Sequence, residues 1–506
     1  MAISVLKQAL EIEELVGSRQ GQALLRAEAT VPGAGRNAIE ALMSEANLVI
    51  GSTEVQDGRV VLDGTAYCQA VYRQGGEATL RALTAQARLN HVFELAGATK
   101  DMPCRVSGEV EHVEARYENG RMIFLVSVGL KLQVWRLAPA EIVTGVEGAD
   151  AMEVDSQAVK SVRLAAEAGV DTLLSEEVAL PSALDARMAL MDWGTVTVES
   201  VQPDLGGVRV GGRLNVEALI SSGVTGRPVA LIKYPIAFER LVEMPDWLLE
   251  NVYATAKLTK LETRVEESEE GEDADLKIDA EVAISVKAIV KSETEALNDA
   301  YTTRGPALLS SRQSITPCVA IDRVQSNEIF RGTLLLPESA PGVGTVLAVR
   351  VRPVVGGWEV NAGRTAIEGL LEATVLYMPG GSDRVASAQS ELPFSVTVSG
   401  ELNGDSWLTV EPISAEANAL MSDRLELKCA LSIAAETRRT RAYDLVSDVQ
   451  EGEDVKKRPG IVLFWPNESD DVWSIGKRYN VPVREVLEMN GGSEVLKKGK
   501  AIVLKI

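Results

Sequence analysis

Apolar and polar residues alternate with a period of two along most of this chain, and that alternation predicts strands. In the first 150 residues it marks Leu48–Gln56, Val60–Tyr72, Leu80–Ala96, Arg105–Tyr117 and Met122–Val134. The turn pairs Asp57-Gly58, Gly75-Gly76 and Asn119-Gly120 separate them, as hairpins require. Residues 5–32 read as a lead-in strand, an acidic segment and a strand closing at Pro32. One stretch departs from the pattern: in GAGRNAIEALMSEA, Ile39, Leu42 and Met43 fall at helical spacing and predict a short helix. Strands with one apolar face bury it by stacking sheet on sheet.

The chain writes this pattern three times. VVLDGTAYCQAVY at Val60–Tyr72 returns as RVGGRLNVEALI at Arg209–Ile220 and as AIEGLLEATVLY at Ala366–Tyr377, each with an early glycine: Gly64, Gly212 and Gly369. A proline-ended strand precedes every copy, and the distances from Pro32, Pro181 and Pro337 to those glycines are 32, 31 and 32 residues. An aromatic follows each glycine, Phe93, Phe238 and Phe394, after 29, 26 and 25 residues. A fixed long period of this kind is the mark of tandem domains. The expected fold is mainly β, with three tandem sandwich-like domains at 1–150, 151–304 and 305–446, each carrying a short helix. In the second copy that includes a closing helix at Lys291–Ala300, with Gly305–Gln313 as a linker after it. The acidic run Glu266–Asp275 is either a solvated hairpin tip or a docking point for a basic partner. After Arg438 the alternation stops, and residues 447–460 read as a charged linker.

The tail, 461–506, has another rhythm: a strand (IVLFW), a helix from Asp471 to Tyr479, a second from Pro482 to Met489, a turn at Asn490-Gly491-Gly492 and a closing strand (AIVLKI). Asp470 is placed to cap the first helix and Pro482 to start the second. Val472, Ile475, Tyr479, Val483, Val486 and Leu487 form the apolar faces, and Trp473 is assigned to the same core.

Charge narrows the choice of partners. Seventy-three acids against 51 basic residues give a net charge of −22, which disfavours nucleic acid and anionic membrane and suits a basic partner. Cys68, Cys104, Cys318 and Cys429 stand singly, with no paired spacing for a zinc ribbon, and suit a reducing compartment. The N-terminus has no basic head or long apolar run, and Met122–Leu130 is too short to span a bilayer, so a cytosolic protein without membrane insertion is expected.

No catalytic constellation emerges. Gly33-Ala34-Gly35-Arg36-Asn37-Ala38 fits a weak dinucleotide fingerprint, but the second copy has Ser182-Ala183-Leu184-Asp185-Ala186-Arg187 there and no βαβ pattern follows. There is no P-loop, and His91 and His112 read as sheet residues without counterparts in the other copies. A non-enzyme without cofactors or metals is expected.

The tail resembles the LysM module through Val472-Trp473-Ser474-Ile475-Gly476, Tyr479-Asn480-Val481, Leu487, Asn490 and Leu496-Lys497-Lys498-Gly499. Three repeats closed by such a tail resemble the SPOCS-domain family of endospore-forming bacteria. The resemblance implies a scaffold of coat assembly in the mother-cell cytosol, at the forespore surface, whose tail binds an ATPase like stage IV sporulation protein A. LysM modules elsewhere hold N-acetylglucosamine chains, so peptidoglycan is the alternative ligand, and self-association of the repeats through sheet edges is a third possibility. Carried over by position, the LysM groove is lined by Ser469, Asp470 and Asp471 on one side and Met489, Asn490, Gly491 and Gly492 on the other. The family's Gly-Asp-Thr is Ser469-Asp470-Asp471 here, preceded by Glu468, and the added carboxylates favour a basic protein surface over a neutral sugar.

Overall fold

The computed structural model describes residues 3–33, 38–75, 79–149, 151–267, 274–456, 460–493 and 501–506. The fold is mainly β, as the alternation predicts. The first repeat consists of β1 (Ser4–Thr30), β2 (Ile39–Gln56), β3 (Arg59–Gln74), β4 (Leu80–Glu94), β5 (Cys104–Glu118) and β6 (Arg121–Glu147). These form two three-stranded antiparallel sheets, in the orders β1-β6-β5 and β2-β3-β4. The second repeat has the same topology with β7 (Met152–Ala179), β8 (Ala186–Asp204), β9 (Gly207–Ser222), β10 (Val229–Glu243), β11 (Val252–Glu267) and β12 (Ala274–Thr302). In the third the long outer ribbon is divided, so that β13 (Pro306–Ile315) and β14 (Cys318–Leu335) stand for one strand. After β15 (Val343–Asn361), β16 (Arg364–Pro379), β17 (Ala386–Ser399) and β18 (Trp407–Met421), β19 (Arg424–Thr440) and β20 (Tyr443–Asp454) likewise stand for one. Each sandwich has its own apolar core.

The repeated glycines have a shared cause. Gly64 lies opposite Ile50, Gly212 opposite Val198 and Gly369 opposite Val355, and in all three the facing strand bulges at that point. A Cβ would lie 2.7 Å from the Val49 carbonyl oxygen, 2.5 Å from that of Thr197 and 2.1 Å from that of Val354. The bulge drives backbone against backbone, and only glycine fits. Phe238 and Phe394 sit across from Gly212 and Gly369, but Leu89 occupies that place for Gly64, while Phe93 faces Val60. Phe93 is therefore not the counterpart of the other two.

Several expected elements are replaced by strands. The helix expected around Ile39–Met43 is the start of β2, where a bulge between Ala41 and Met43 buries the adjacent Leu42 and Met43 and imitates helical spacing. Positions 34–37 of the GxGxxA stretch lie outside the described residues, as do Gly76 and residues 268–273 of the acidic run. The helix expected at Lys291–Ala300 belongs to β12, where a bulge between Leu297 and Asp299 follows the adjacent buried Ala296 and Leu297. Pairing with β7 overrides the helix propensity of that segment. Among the described residues the repeats contain only two 3₁₀ turns, Ser182–Leu184 and Asp246–Asn251, both in the second. Neither linker is a tether: Gly305–Gln313 is largely β13, and 447–454 belongs to β20, which pairs antiparallel with it. Residues 457–459 lie outside the described set.

The three repeats pack about a pseudo-threefold axis. Bulge residues Leu42-Met43, Leu190-Met191 and Leu347-Ala348 meet in one apolar plug with Val71, Leu219 and Leu376 from the strands opposite them. At the other end the outer ribbons converge on Ile142-Val143, Ala296-Leu297 and Leu445-Val446. This second contact explains the apparent linker: the ribbon β13–β20 buries one apolar edge there and leaves its charged residues to solvent.

Candidate functional site

The tail contains β21 (Ile461–Phe464) and β22 (Ile502–Lys505), paired antiparallel, with α1 (Val472–Tyr479) and α2 (Val483–Met489) between them. Its core holds Val472, Ile475, Val481, Val486, Ile502 and Leu504, with Tyr479, Val483 and Leu487 packed against them. The cap on α1 is Asp471, not Asp470: its Oδ1 accepts from the Ser474 amide at 2.7 Å, and Ser474 Oγ accepts from the Asp471 amide at 3.0 Å. Asp470 instead accepts from the Asn467 amide at 2.8 Å and pairs with Arg478 at 3.1 Å.

On the other rim Asn490 is a structural clamp. Its Nδ2 donates to the Val486 and Val503 carbonyls and its Oδ1 accepts from the Val503 amide, joining α2 to β22. Gly491 and Gly492 take φ of 80° and 75°, the left-handed turn that closes α2. Ser469, Asp471 and Met489 keep exposed side chains. The motif residues Leu496-Lys497-Lys498-Gly499 lie outside the described residues. A feature the sequence reading missed is a solvent-facing apolar stripe on and just after β21: Ile461, Leu463 and Trp465 are 73%, 55% and 58% exposed. Alternation carried the signal: Val462 and Phe464 pack against the tail's core and the residues that alternate with them face out.

Trp473 does not belong to the tail's core. Its ring stands edge-on to Tyr301 of β12 at 5.0 Å, and its Nε1 donates to Asp299 Oδ2 at 2.9 Å. Lys477 Nζ reaches both Asp299 oxygens at 2.6 and 2.8 Å, and the Tyr301 hydroxyl donates to the Val481 carbonyl at 2.8 Å. The tail is thus seated on the second repeat. The repeats' equivalents of Tyr301 are Glu147 and Gln450, which offer no ring for Trp473.

The three repeats enclose a cavity of about 1530 Å³ on their common axis. Equivalent bulged strands β5, β11 and β18 contribute Glu109, Lys257 and Glu411 at one level and Arg105, Tyr253 and Trp407 four residues earlier. Glu109, Lys257 and Glu411 stay accessible to water while lying deep between the repeats, as on the wall of a hydrated channel. Crowding by protein pushes the Glu109 carboxyl up to about 7, with Glu411 adding to the effect. The same crowding raises Glu411 and lowers Lys257, each partly countered by the other's charge. At the next level Glu436 accepts from the Tyr253 hydroxyl at 2.9 Å and pairs with Arg105 at 3.2 Å, while Arg105 stacks over Trp407 at 4.4 Å.

Ion pairs also cross between repeats nearer the plug. Glu45 pairs with Arg350 and Arg352 at 2.5 Å each, and Arg352 continues to Glu372 at 2.8 Å. Burial would raise the Glu45 carboxyl, but the two guanidinium groups hold it at about 2. His112 Nδ1 meets Glu372 at 2.5 Å in the same network, and His91 stacks edge-on against Phe93. The histidines therefore serve contacts within and between repeats. No group of three or more His, Cys, Asp or Glu among the described residues is arranged to hold a metal, and no described helix is long and apolar enough to cross a membrane.

Comparison with known proteins adds one finding. Residues 38–118 match the family model described as SipL, SPOCS domain. The matched stretch runs from β2 through β5, taking in one sheet and the first axis-lining strand of the other. The second and third repeats have the same strand order at β8–β11 and β15–β18. No curated protein and no solved structure matches the chain.

Proposed function

We propose that this chain is a non-enzymatic scaffold of spore coat or envelope assembly, whose LysM-like tail binds a morphogenetic partner resembling stage IV sporulation protein A at the forespore surface, within the mother-cell cytosol. The SPOCS match supports a role in sporulation. The observation that carries the tail's part is the exposed stripe Ile461, Leu463 and Trp465 on a module seated firmly on the body. An anchored module presents that stripe in a fixed orientation, so less freedom is lost on binding than with a loose tether. The rest of the chain supplies breadth rather than chemistry.

A second reading draws on the tail's own pairings. Asp470 is engaged by Arg478 and Asp471 by the N-terminus of α1, so the groove has less uncommitted negative charge than its sequence suggests. An exposed Trp465 is also a face on which a sugar ring can stack. The test is retention of the full chain on an immobilised stage IV sporulation protein A and, separately, on peptidoglycan, each with a Leu463→Ser, Trp465→Ala variant alongside. Retention on the protein that the variant loses supports the scaffold reading. Retention on peptidoglycan alone supports glycan binding, and retention on neither removes both.

A further inference from the structure

The pseudo-threefold arrangement allows surface positions to be compared between repeats, and one comparison stands out. Leu24 on β1, Leu173 on β7 and Ile329 on β14 occupy the same place: each lies two residues beyond the partner of Gly129, Ala283 or Ser432 on the central strand. They are 74%, 76% and 62% exposed. A single exposed leucine needs no explanation. An exposed branched aliphatic at the same outward position of all three repeats, where a polar residue would cost the fold nothing, does. β1, β7 and β14 are also outer strands of their sheets, each paired, among the described residues, with a strand on one side only. Strands with an open side and an apolar outward residue accept another strand.

We propose that the occupant is a second copy of this chain, with the open edge of β7 in one copy set antiparallel against the open edge of β1 or β14 in another. Placing Leu173 opposite Leu24 puts Asp171 opposite Arg26 and Ser175 opposite Gln22. Placing it opposite Ile329 puts Asp171 opposite Arg331 and Ser175 opposite Asn327. Both registers pair apolar with apolar and acid with base, whereas β7 against β7 would pair no opposite charges at these positions. The contact joins different surfaces of the two copies, so it is heterologous, and it propagates wherever the rotation between copies does not close a ring. With one donor edge and two acceptor edges per chain, growth can branch. It needs nothing from the tail, so its failure leaves the tail-binding reading untouched.

The test is light scattering on the purified full chain across a concentration series at about 0.15 M salt, where repulsion between whole molecules is screened beyond about 8 Å. The expected result is mass rising with concentration for the wild type, and monomer mass throughout for Leu173→Lys and for Asp171→Arg. Asp171→Arg combined with Arg26→Asp and Arg331→Asp should restore assembly. Unfolding midpoints confirm that the variants remain folded. A wild type that stays monomeric up to about 100 μM, or assembly that Leu173→Lys leaves intact, overturns the proposal; failure of the charge swap to restore it overturns the register.

Discussion

Gly369 and Gly357 sit twelve residues apart in the third repeat and should respond oppositely to one methyl group. At Gly369 a Cβ would meet the Val354 oxygen at 2.1 Å and the Phe394 ring at 2.7 Å, whereas at Gly357 nothing lies within 4 Å. Gly369→Ala is therefore expected to cost about 1–3 kcal/mol as an overpacked site, and Gly357→Ala to be neutral within about 0.5 kcal/mol; chemical denaturation of both variants measures this. Glu109 and Glu45 form a second contrast. The folded Glu109 carboxyl binds its proton up to about 7, above its unfolded value, so its ionisation removes stability as pH rises through that interval. Glu109→Gln should then be more stable than wild type at pH 8, with the gap closing below pH 4. The Glu45 carboxyl is held at about 2, so its contribution is complete above its unfolded value and is lost as pH falls towards 2. Denaturation midpoints across pH 3–8 separate the two signs.

Among the elements, α1 has two allegiances. Val472 and Ile475 face the tail's own core while Trp473 and Lys477 face β12, so one short helix both builds the module and seats it. Trp473→Ala is expected to loosen the tail from the second repeat without unfolding it, since the six core residues remain. Faster amide exchange in the Trp473–Tyr301 contact with little change at the Ile475 amide would show this; global exchange of 472–489 would mean instead that the tryptophan holds the module together. Strand β12 is shaped by the same contact. Its bulge after Leu297 lies just before Asp299 and Tyr301, the two residues that receive the tail.

At the scale of the whole molecule, polar pairs between repeats matter because the axial cavity is lined by charged residues while the plug and base are apolar. Glu45 is almost fully buried between Arg350 and Arg352. Glu45→Gln leaves two guanidinium groups short of their partner and should cost about 3–5 kcal/mol, as removal of one member of a buried pair does. Because those arginines belong to the third repeat and Glu45 to the first, the loss should appear as separation of the transitions of individual repeats in calorimetry, with the single cooperative transition broken.

Alternation, glycine spacing and turn pairs determined by themselves that the chain is mainly β, that it is threefold, and where most strands run, because a two-residue period and a backbone collision at Gly64, Gly212 and Gly369 are local facts. The βααβ order of the tail was legible for the same reason. Only the tertiary structure decided what happens where repeats meet. Bulges at Leu42-Met43 and at Leu297 mimic helical spacing, and β13–β20 looks like a tether because half its surface is solvated and its partner lies more than a hundred residues away. The role of Trp473 was equally hidden: a half-buried indole looks the same in sequence whether it faces its own module or, as here, an aspartate and a tyrosine that the chain supplied some 170 residues earlier.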